Sequence, residues 1–283
     1  MITGGLGFIG SHLVEKLSNK NNEIIILTKT LSKSANLQNL AKNVKIKKIN
    51  LIDFQKVGRI IEEFKPDVII HLAGNTSHSK SFEKPLQDVD SNTKTTLFML
   101  EKIRELKSSC KFMLGSTFIV IGRPRKLPVN ENTPCNPTTI YGTNRLASEH
   151  LCKIYHDVYG INTNIFRITN SYGPREQVKP NKNAVNFLIH QALKNKKISI
   201  YNKGEFFRDL IFVDDVIDCN KSLKTIFQPF ESNFKEISLT LPFFNKTEDL
   251  ILGQTGPTII TSSPSDIIKS QINLKPIIPP VTI

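Results

Sequence analysis

Three glycines set three residues apart, Gly4, Gly7 and Gly10, stand in the run TGGLGFIG and lead straight into Ser11-His12-Leu13-Val14-Glu15-Lys16-Leu17, whose apolar spacing is helical. Bare backbone at those glycines lets the loop approach a bulky anion, and the exposed N–H groups and dipole at the start of the helix favour its negative charge. A strand, a glycine loop and a helix in that order bind the pyrophosphate of a dinucleotide when further strand–helix units follow. Only Met1 and Ile2 precede Thr3, whereas a strand feeding such a loop runs about five or six residues. The central strand is therefore expected to be cut short, through a start codon set too late or a truncated product.

Further units do follow. Short β-branched runs at Glu23 to Thr28, Val44 to Ile49, Asp67 to Leu72, Lys111 to Ser116 and Asn162 to Arg167 alternate with helical stretches at Phe54 to Lys65, Val89 to Lys107 and Tyr141 to Tyr159. Those stretches are long enough for right-handed crossovers, which predicts an α/β fold with a doubly wound parallel sheet. Residues 1–172 read as the dinucleotide-binding unit and residues 173–283 as a smaller substrate-binding lobe. That lobe is expected to hold a helix near Ala184 to Asn195, a strand near Ile198 to Tyr201 and a turn at Lys203-Gly204. The Pro-, Ser- and Thr-rich tail after about Phe227 receives no assignment, and Lys275 to Pro280 excludes a helix or a central strand.

Composition narrows the function classes. No apolar run reaches the ~18 residues of a membrane span, and no basic segment followed by a hydrophobic one opens the chain. The sequence-based expectation is a cytoplasmic protein with no membrane partner. Cys110, Cys135, Cys152 and Cys219 never form a CxxC, so no metal is expected. The net charge of +13 comes from thirty lysines and eight arginines spread along the chain without an aromatic-interleaved stripe. That pattern favours an anionic small ligand over nucleic acid.

The turn after the second strand discriminates between cofactors, because an acid there binds a ribose 2′-hydroxyl and a base accepts a 2′-phosphate. Thr28 and Lys29 occupy it, with Lys33 nearby, so the reading leans to NADP over NAD. Farther on, Tyr141-Gly142-Thr143-Asn144-Arg145 opens a helix, and residues four apart share a face. A tyrosine with its ordinary pKa of about 10 is a poor base at neutral pH, and a nearby cation lowers that pKa. Arg145 is that cation, and Thr117 at the end of the fifth strand presents a hydroxyl for the same oxygen. His71 reads as a satisfied core histidine, and Asp214 with Asp215 as caps of a helix beginning near Val216.

Taken together, TGGLGFIG, PDVIIHLAG (66–74), Ser81 with Pro85 and Asn92, STFIVIG (116–122), YGTNR, RITNSYGPREQ (167–177) and FFRDLIFVDDV (206–216) resemble the extended short-chain dehydrogenase/reductases, the NAD(P)-dependent nucleotide-sugar epimerases and dehydratases. The resemblance spans residues 1 to about 220. It implies that Gly4, Gly7 and Gly10, with Phe8 and Ile9, hold the pyrophosphate, that Asp53 holds the adenine, and that Leu72, Ala73 and Gly74 line the cofactor beside Lys29. It also implies catalytic roles for Thr117, Tyr141 and Arg145, with Asn170 on the substrate and Arg208 on its diphosphate. Pairing into a homodimer through the helices at Val89 to Lys107 and Tyr141 to Tyr159 follows from the same likeness.

Two departures bear on activity. Arg145 stands where the family has a lysine, and Phe118 and Ile119 stand where dehydratases carry acids that protonate a leaving group. Neither can donate a proton, so hydride-transfer chemistry without elimination is expected: a UDP-sugar 4-epimerase. A reductase of the same substrates and a catalytically weak relative are the alternatives. No arginine follows Arg208, which leaves Lys269 or Lys275 to replace a second diphosphate contact.

Overall fold

A computed structural model describes residues 1–20, 22–37, 42–179, 184–198, 208–218 and 235–238. The chain runs β1 (Ile2–Thr3), α1 (Phe8–Ser18), β2 (Ile24–Thr28), β3 (Val44–Lys48), α2 (Phe54–Phe64), β4 (Val68–His71), α3 (His78–Glu83), α4 (Pro85–Val89), α5 (Thr95–Glu105), β5 (Lys111–Thr117), α6 (Ile140–Tyr159), β6 (Thr163–Ile168), β7 (Asn170–Tyr172), α7 (Ala184–Leu193), β8 (Leu210–Phe212), α8 (Val213–Ile217) and β9 (Lys235–Ser238). Seven strands form one parallel sheet in the order β3-β2-β1-β4-β5-β6-β9, and β7 pairs with β8 in a second, two-stranded parallel sheet. This is the doubly wound α/β fold that the alternating runs imply.

Successive strand residues point to opposite faces, and the core divides accordingly. Ile25, Leu27, Ile69, Phe112, Leu114 and Ile165 pack with α2, α5 and α6 on one face. Ile2, Ile24, Ile26, Ile70 and Met113 pack with α1 and α8 on the other. β1 is two residues long and is paired on both sides, Ile2 with Ile26 and Ile70, Thr3 with Leu27 and His71. Toward the other end of the sheet, Ile24 and Ile25 register with β3, and Val68 and Ile69 with β5.

Three expectations are corrected. The stretch expected as one helix from Val89 to Lys107 is interrupted by a π-helical turn at Asp90–Lys94 between α4 and α5. The helix expected near Val216 starts at Val213 with Phe212 at its N-cap, so Asp214 and Asp215 lie in its first turn, where they complement the helix dipole, and Asp214 faces His12 at 3.7 Å. β9 lies inside the tail that received no assignment. The strand end at residues 199–201, the turn at Lys203-Gly204, Cys219, Lys269, and the 275–280 segment lie outside the described residues. No described helix is long and apolar enough to cross a membrane, and no described group of three or more His, Cys, Asp or Glu side chains could hold a metal.

Candidate active site

The carboxyl ends of β1, β4 and β5 and the first turns of α1 and α6 meet at one edge of the sheet. Gly4 adopts φ +72°, a conformation that favours glycine, and its N–H binds Leu27 O at 3.1 Å. A Cβ at Gly10 would sit 2.3 Å from Gly4 O and 2.8 Å from Gly5 Cα, so only glycine lets α1 start this close to the loop. Gly7 caps α1 without any side-chain bond to the first turn. The opening N–H groups, which lack intrahelical partners, therefore remain for an anion beside Phe8 and Ile9. These residues fit a dinucleotide pyrophosphate.

The loop after β4 is drawn onto the glycines by a buried histidine. His71 is fully buried; burial, helped by the Arg145 cation, pushes its pKa down to about 3, so the ring is neutral. Ala73 N–H donates to Thr3 Oγ1 at 3.2 Å, which leaves the Thr3 hydroxyl to donate to His71 Nδ1 at 2.7 Å. The hydrogen-bond pattern then places the ring proton on Nε2, facing Thr95 Oγ1 at 3.3 Å. A Cβ at Gly4 would lie 3.0 Å from Ala73 N, so loop and glycine turn are in contact. Leu72, Ala73 and Gly74 follow from there, as the sequence placed them.

Tyr141 and Arg145 lie in the first two turns of α6, which is capped by Thr139 Oγ1 accepting the Gly142 N–H at 3.0 Å. Both are buried, at 7% and 4% exposure. Arg145 Nη1 donates to Asn92 Oδ1 at 3.4 Å, and its Nε is buried with no partner. A Cβ at Gly74 would meet Asn92 Oδ1 at 2.3 Å and Arg145 Nη1 at 3.3 Å, so the guanidinium lies directly beneath the loop after β4. Thr117, buried at the end of β5, accepts the Ile119 N–H at 3.3 Å, which leaves its own proton to donate. Gly142 packs against this turn, with a Cβ position only 3.1 Å from Ile119 Cγ2. Helix start and strand end are thereby held side by side.

Other sequence-stated residues lie apart from this group. Lys29 is exposed just past β2, next to Thr28, whose register partner is Lys48. Asp53 spends its carboxylate at the N-terminus of α2, accepting Lys56 N–H at 3.3 Å and Lys56 Nζ at 2.6 Å; these bonds hold its pKa below the usual carboxylate value. The β7–β8 pair sets Asn170 opposite Leu210, two residues after Arg208, and Asn170 Nδ2 donates to Asp209 O at 3.0 Å.

Sequence reasoning missed two supports, Glu149 and Asp88, and gave no role to a third residue it named, Asn92. Glu149, one further turn along the Tyr141–Arg145 face, accepts Ser116 Oγ and pairs with Arg167 Nη2 at 2.8 Å, all buried. Asp88, 1% exposed, accepts amide protons from Asn75 at 2.5 Å and Asn144 at 2.7 Å. Asn92 sits in the π-turn, whose wider loop leaves its carbonyl to Thr96 and Ser148 and its side chain to Arg145. The i, i+4, i+8 series Tyr141, Arg145, Glu149 was the available signal for Glu149; nothing in the sequence marks the π-turn.

Comparison with known proteins adds the following. The chain is 34% identical over 221 residues to a Methanocaldococcus jannaschii protein named for UDP-glucose 4-epimerase, covering 78% of this chain and 71% of that one. It is 33% identical over 235 residues to the dTDP-D-glucose 4,6-dehydratase of Dictyostelium discoideum, spanning 77% of this chain but 53% of that protein. The solved UDP-glucose 4-epimerase of Thermotoga maritima with UDP-glucose superposes with a TM-score of 0.74 at 27% identity, over 83% of this chain and 75% of that one. Residues 1–224 match the NAD dependent epimerase/dehydratase family. With its glycine cradle, parallel sheet and this match over most of its length, the chain belongs to the NAD-dependent epimerase/dehydratase family, within the extended short-chain dehydrogenase/reductases.

Proposed function

We propose that the chain is an NAD(P)-dependent nucleotide-sugar epimerase acting at C4 of a UDP-sugar, with Tyr141 as its base. The observation that carries this reading is a phenol on α6 with a buried guanidinium, its Nε unpartnered, one helical turn behind it and beneath Gly74 in the loop after β4. On this reading Gly4, Gly7, Phe8, Ile9 and Gly10 hold the pyrophosphate, Leu72, Ala73 and Gly74 line the cofactor, and Asp53 lies toward the adenine. A nicotinamide bound there supplies reversible exchange of hydride with the sugar carbon. Tyr141 accepts the hydroxyl proton as that carbon becomes a ketone and returns it after the sugar has presented its other face. Thr117 donates its free proton to the same oxygen. Arg145 sets a guanidinium one helical turn behind the phenol. Residues 1–172 thus serve the dinucleotide and residues 173–283 the substrate, with Asn170 on the sugar and Arg208 on the diphosphate.

Incubation of the purified chain and dinucleotide with UDP-glucose or UDP-galactose, followed by chromatography, tests the reading: the two sugars should interconvert. A second reading, a catalytically weak relative that binds dinucleotide, is favoured by the bond from Arg145 to Asn92, which occupies one arm of the guanidinium. Dinucleotide binding without interconversion would select it.

Two finer points carry their own tests. Lys29 and Lys33 with no acid at the end of β2 favour NADP, although solved relatives such as the UDP-glucuronic acid 4-epimerase of Bacillus cereus hold NAD. Calorimetry should show NADP binding more tightly than NAD. Lys29→Ala should weaken NADP by about tenfold, the worth of one charge-assisted hydrogen bond, and leave NAD unchanged; a tighter NAD complex in the unaltered chain would refute the lean. Second, Ile154 and Val158, one turn apart on α6 and 51% and 65% exposed, form an uncovered apolar stripe for pairing two copies. Light scattering should report a dimer that Val158→Asp converts to a monomer.

A further inference from the structure

Asp88 is an acid on α4, 1% exposed, that the mechanism does not use. Each of its oxygens takes one amide proton, Oδ1 from Asn75 Nδ2 at 2.5 Å and Oδ2 from Asn144 Nδ2 at 2.7 Å. Both amides are held in that sense by their other ends. Asn75 Oδ1 accepts the Ser77 N–H at 3.1 Å, and Asn144 Oδ1 accepts the Thr93 hydroxyl at 3.3 Å. Asn75 follows Gly74 in the loop after β4, and Asn144 stands on α6 between Tyr141 and Arg145. One buried carboxylate therefore joins that loop to the turn of α6 that carries the phenol and the guanidinium.

A second path links the same two elements, because Asn92 Nδ2 donates to Asn75 O at 3.3 Å and Asn92 Oδ1 accepts from Arg145 Nη1 at 3.4 Å. Both bonds lie at the long end of hydrogen-bond geometry, whereas a carboxylate acceptor shortens and strengthens the bonds it receives. The path through Asp88 is the stiffer one. We propose that Asp88 is a positioning residue whose carboxylate fixes the spacing between the loop after β4 and the Tyr141–Arg145 turn of α6. The inference rests on the proposed function, in which Leu72, Ala73 and Gly74 line the dinucleotide and Tyr141 is the base. A shift of about 1 Å between loop and helix is enough to lower turnover by about a hundredfold.

The test reads dinucleotide affinity by calorimetry, and kcat and KM for UDP-glucose at saturating dinucleotide, in the unaltered chain, Asp88→Asn, Asn144→Ala and the double variant Asp88→Asn with Asn144→Asp. In Asp88→Asn the new amide satisfies one neighbouring amide and turns its own donors toward the other. Dinucleotide binding should weaken about tenfold, the worth of one hydrogen bond to a charged group, and kcat should fall by about ten- to a hundredfold with KM nearly unchanged. Asn144→Ala cuts only the α6 arm and suits a helix interior; it should show the same losses, and it decides the matter if Asp88→Asn does not fold. The double variant moves the carboxylate across to α6, so that every donor again faces an acceptor, and it should recover both affinity and kcat. Unchanged dinucleotide affinity and kcat in the single variants, whatever their melting temperatures, would reduce Asp88 to a stabilising group and overturn the inference. A folded double variant as impaired as the single ones would overturn it too. An unaltered chain that binds dinucleotide but interconverts no sugar would sink the epimerase reading alone, and the dinucleotide affinities of the variants would then decide whether Asp88 sets the spacing.

Discussion

Tyr141→Phe should lower kcat for sugar interconversion by about 10²- to 10⁴-fold, the range spanned by a positioned acid–base group, with KM and dinucleotide affinity close to those of the unaltered chain. The phenol is 7% exposed and its ring rests on His78, so phenylalanine fills the same space. Among the described residues its oxygen makes no hydrogen bond to the protein, so nothing structural is lost with it, and the melting temperature should not move. That combination distinguishes chemistry from folding, because among the described residues the phenol oxygen has no protein hydrogen bond to lose. Turnover in Tyr141→Phe within a few-fold of the unaltered chain would remove the phenol from the mechanism.

Much of the frame supporting this phenol was legible in the sequence, for a physical reason. β2, β4 and β5 lie in the middle of a parallel sheet and are buried along most of their length, so their runs are rich in apolar and β-branched residues, while β6 alternates buried and half-buried positions and α2 carries one apolar face. Their boundaries agree with the expected ones within a residue or two. The glycine turn was legible because backbone proximity forbids any other residue at Gly10. The π-turn at Asp90–Lys94 was not, since one extra residue per turn shifts the facing side chains without changing residue type. β7 and β8 were missed because each is three residues long and their pairing joins positions forty apart, beyond any local window. Asp88 carries no signal in the sequence; only the folded chain shows it buried between two asparagines.

The same helix face that carries the phenol ends in an ion pair, and breaking it should produce the largest change in stability. Glu149 is fully buried and Arg167 is 3% exposed. Arg167 Nη2 meets Glu149 Oε2 at 2.8 Å, and Nε lies 3.2 Å from both carboxylate oxygens. Glu149→Gln keeps the shape and leaves a buried guanidinium without its counter-charge, which costs about 3–5 kcal/mol. At about 2–4 °C per kcal/mol for a chain of this size, the midpoint of thermal unfolding followed by circular dichroism should fall by roughly 10 °C. Glu149→Met with Arg167→Leu, which removes both charges, should recover most of that loss, since a buried pair contributes little over an apolar filling. Activity should not recover with it. Ser116 Oγ also donates to Glu149, and Arg167 Nη1 reaches Glu131 O at 3.4 Å, so the pair ties the end of β5, where Thr117 begins its turn, to α6 and to the loop before it. A double variant as stable as the unaltered chain but slower in turnover would show that the charges serve to position Thr117 against Tyr141. A single variant that melts unchanged would show that water or a rearranged partner already screens Arg167, and the tie between strand and helix would have to be sought in their apolar contacts instead.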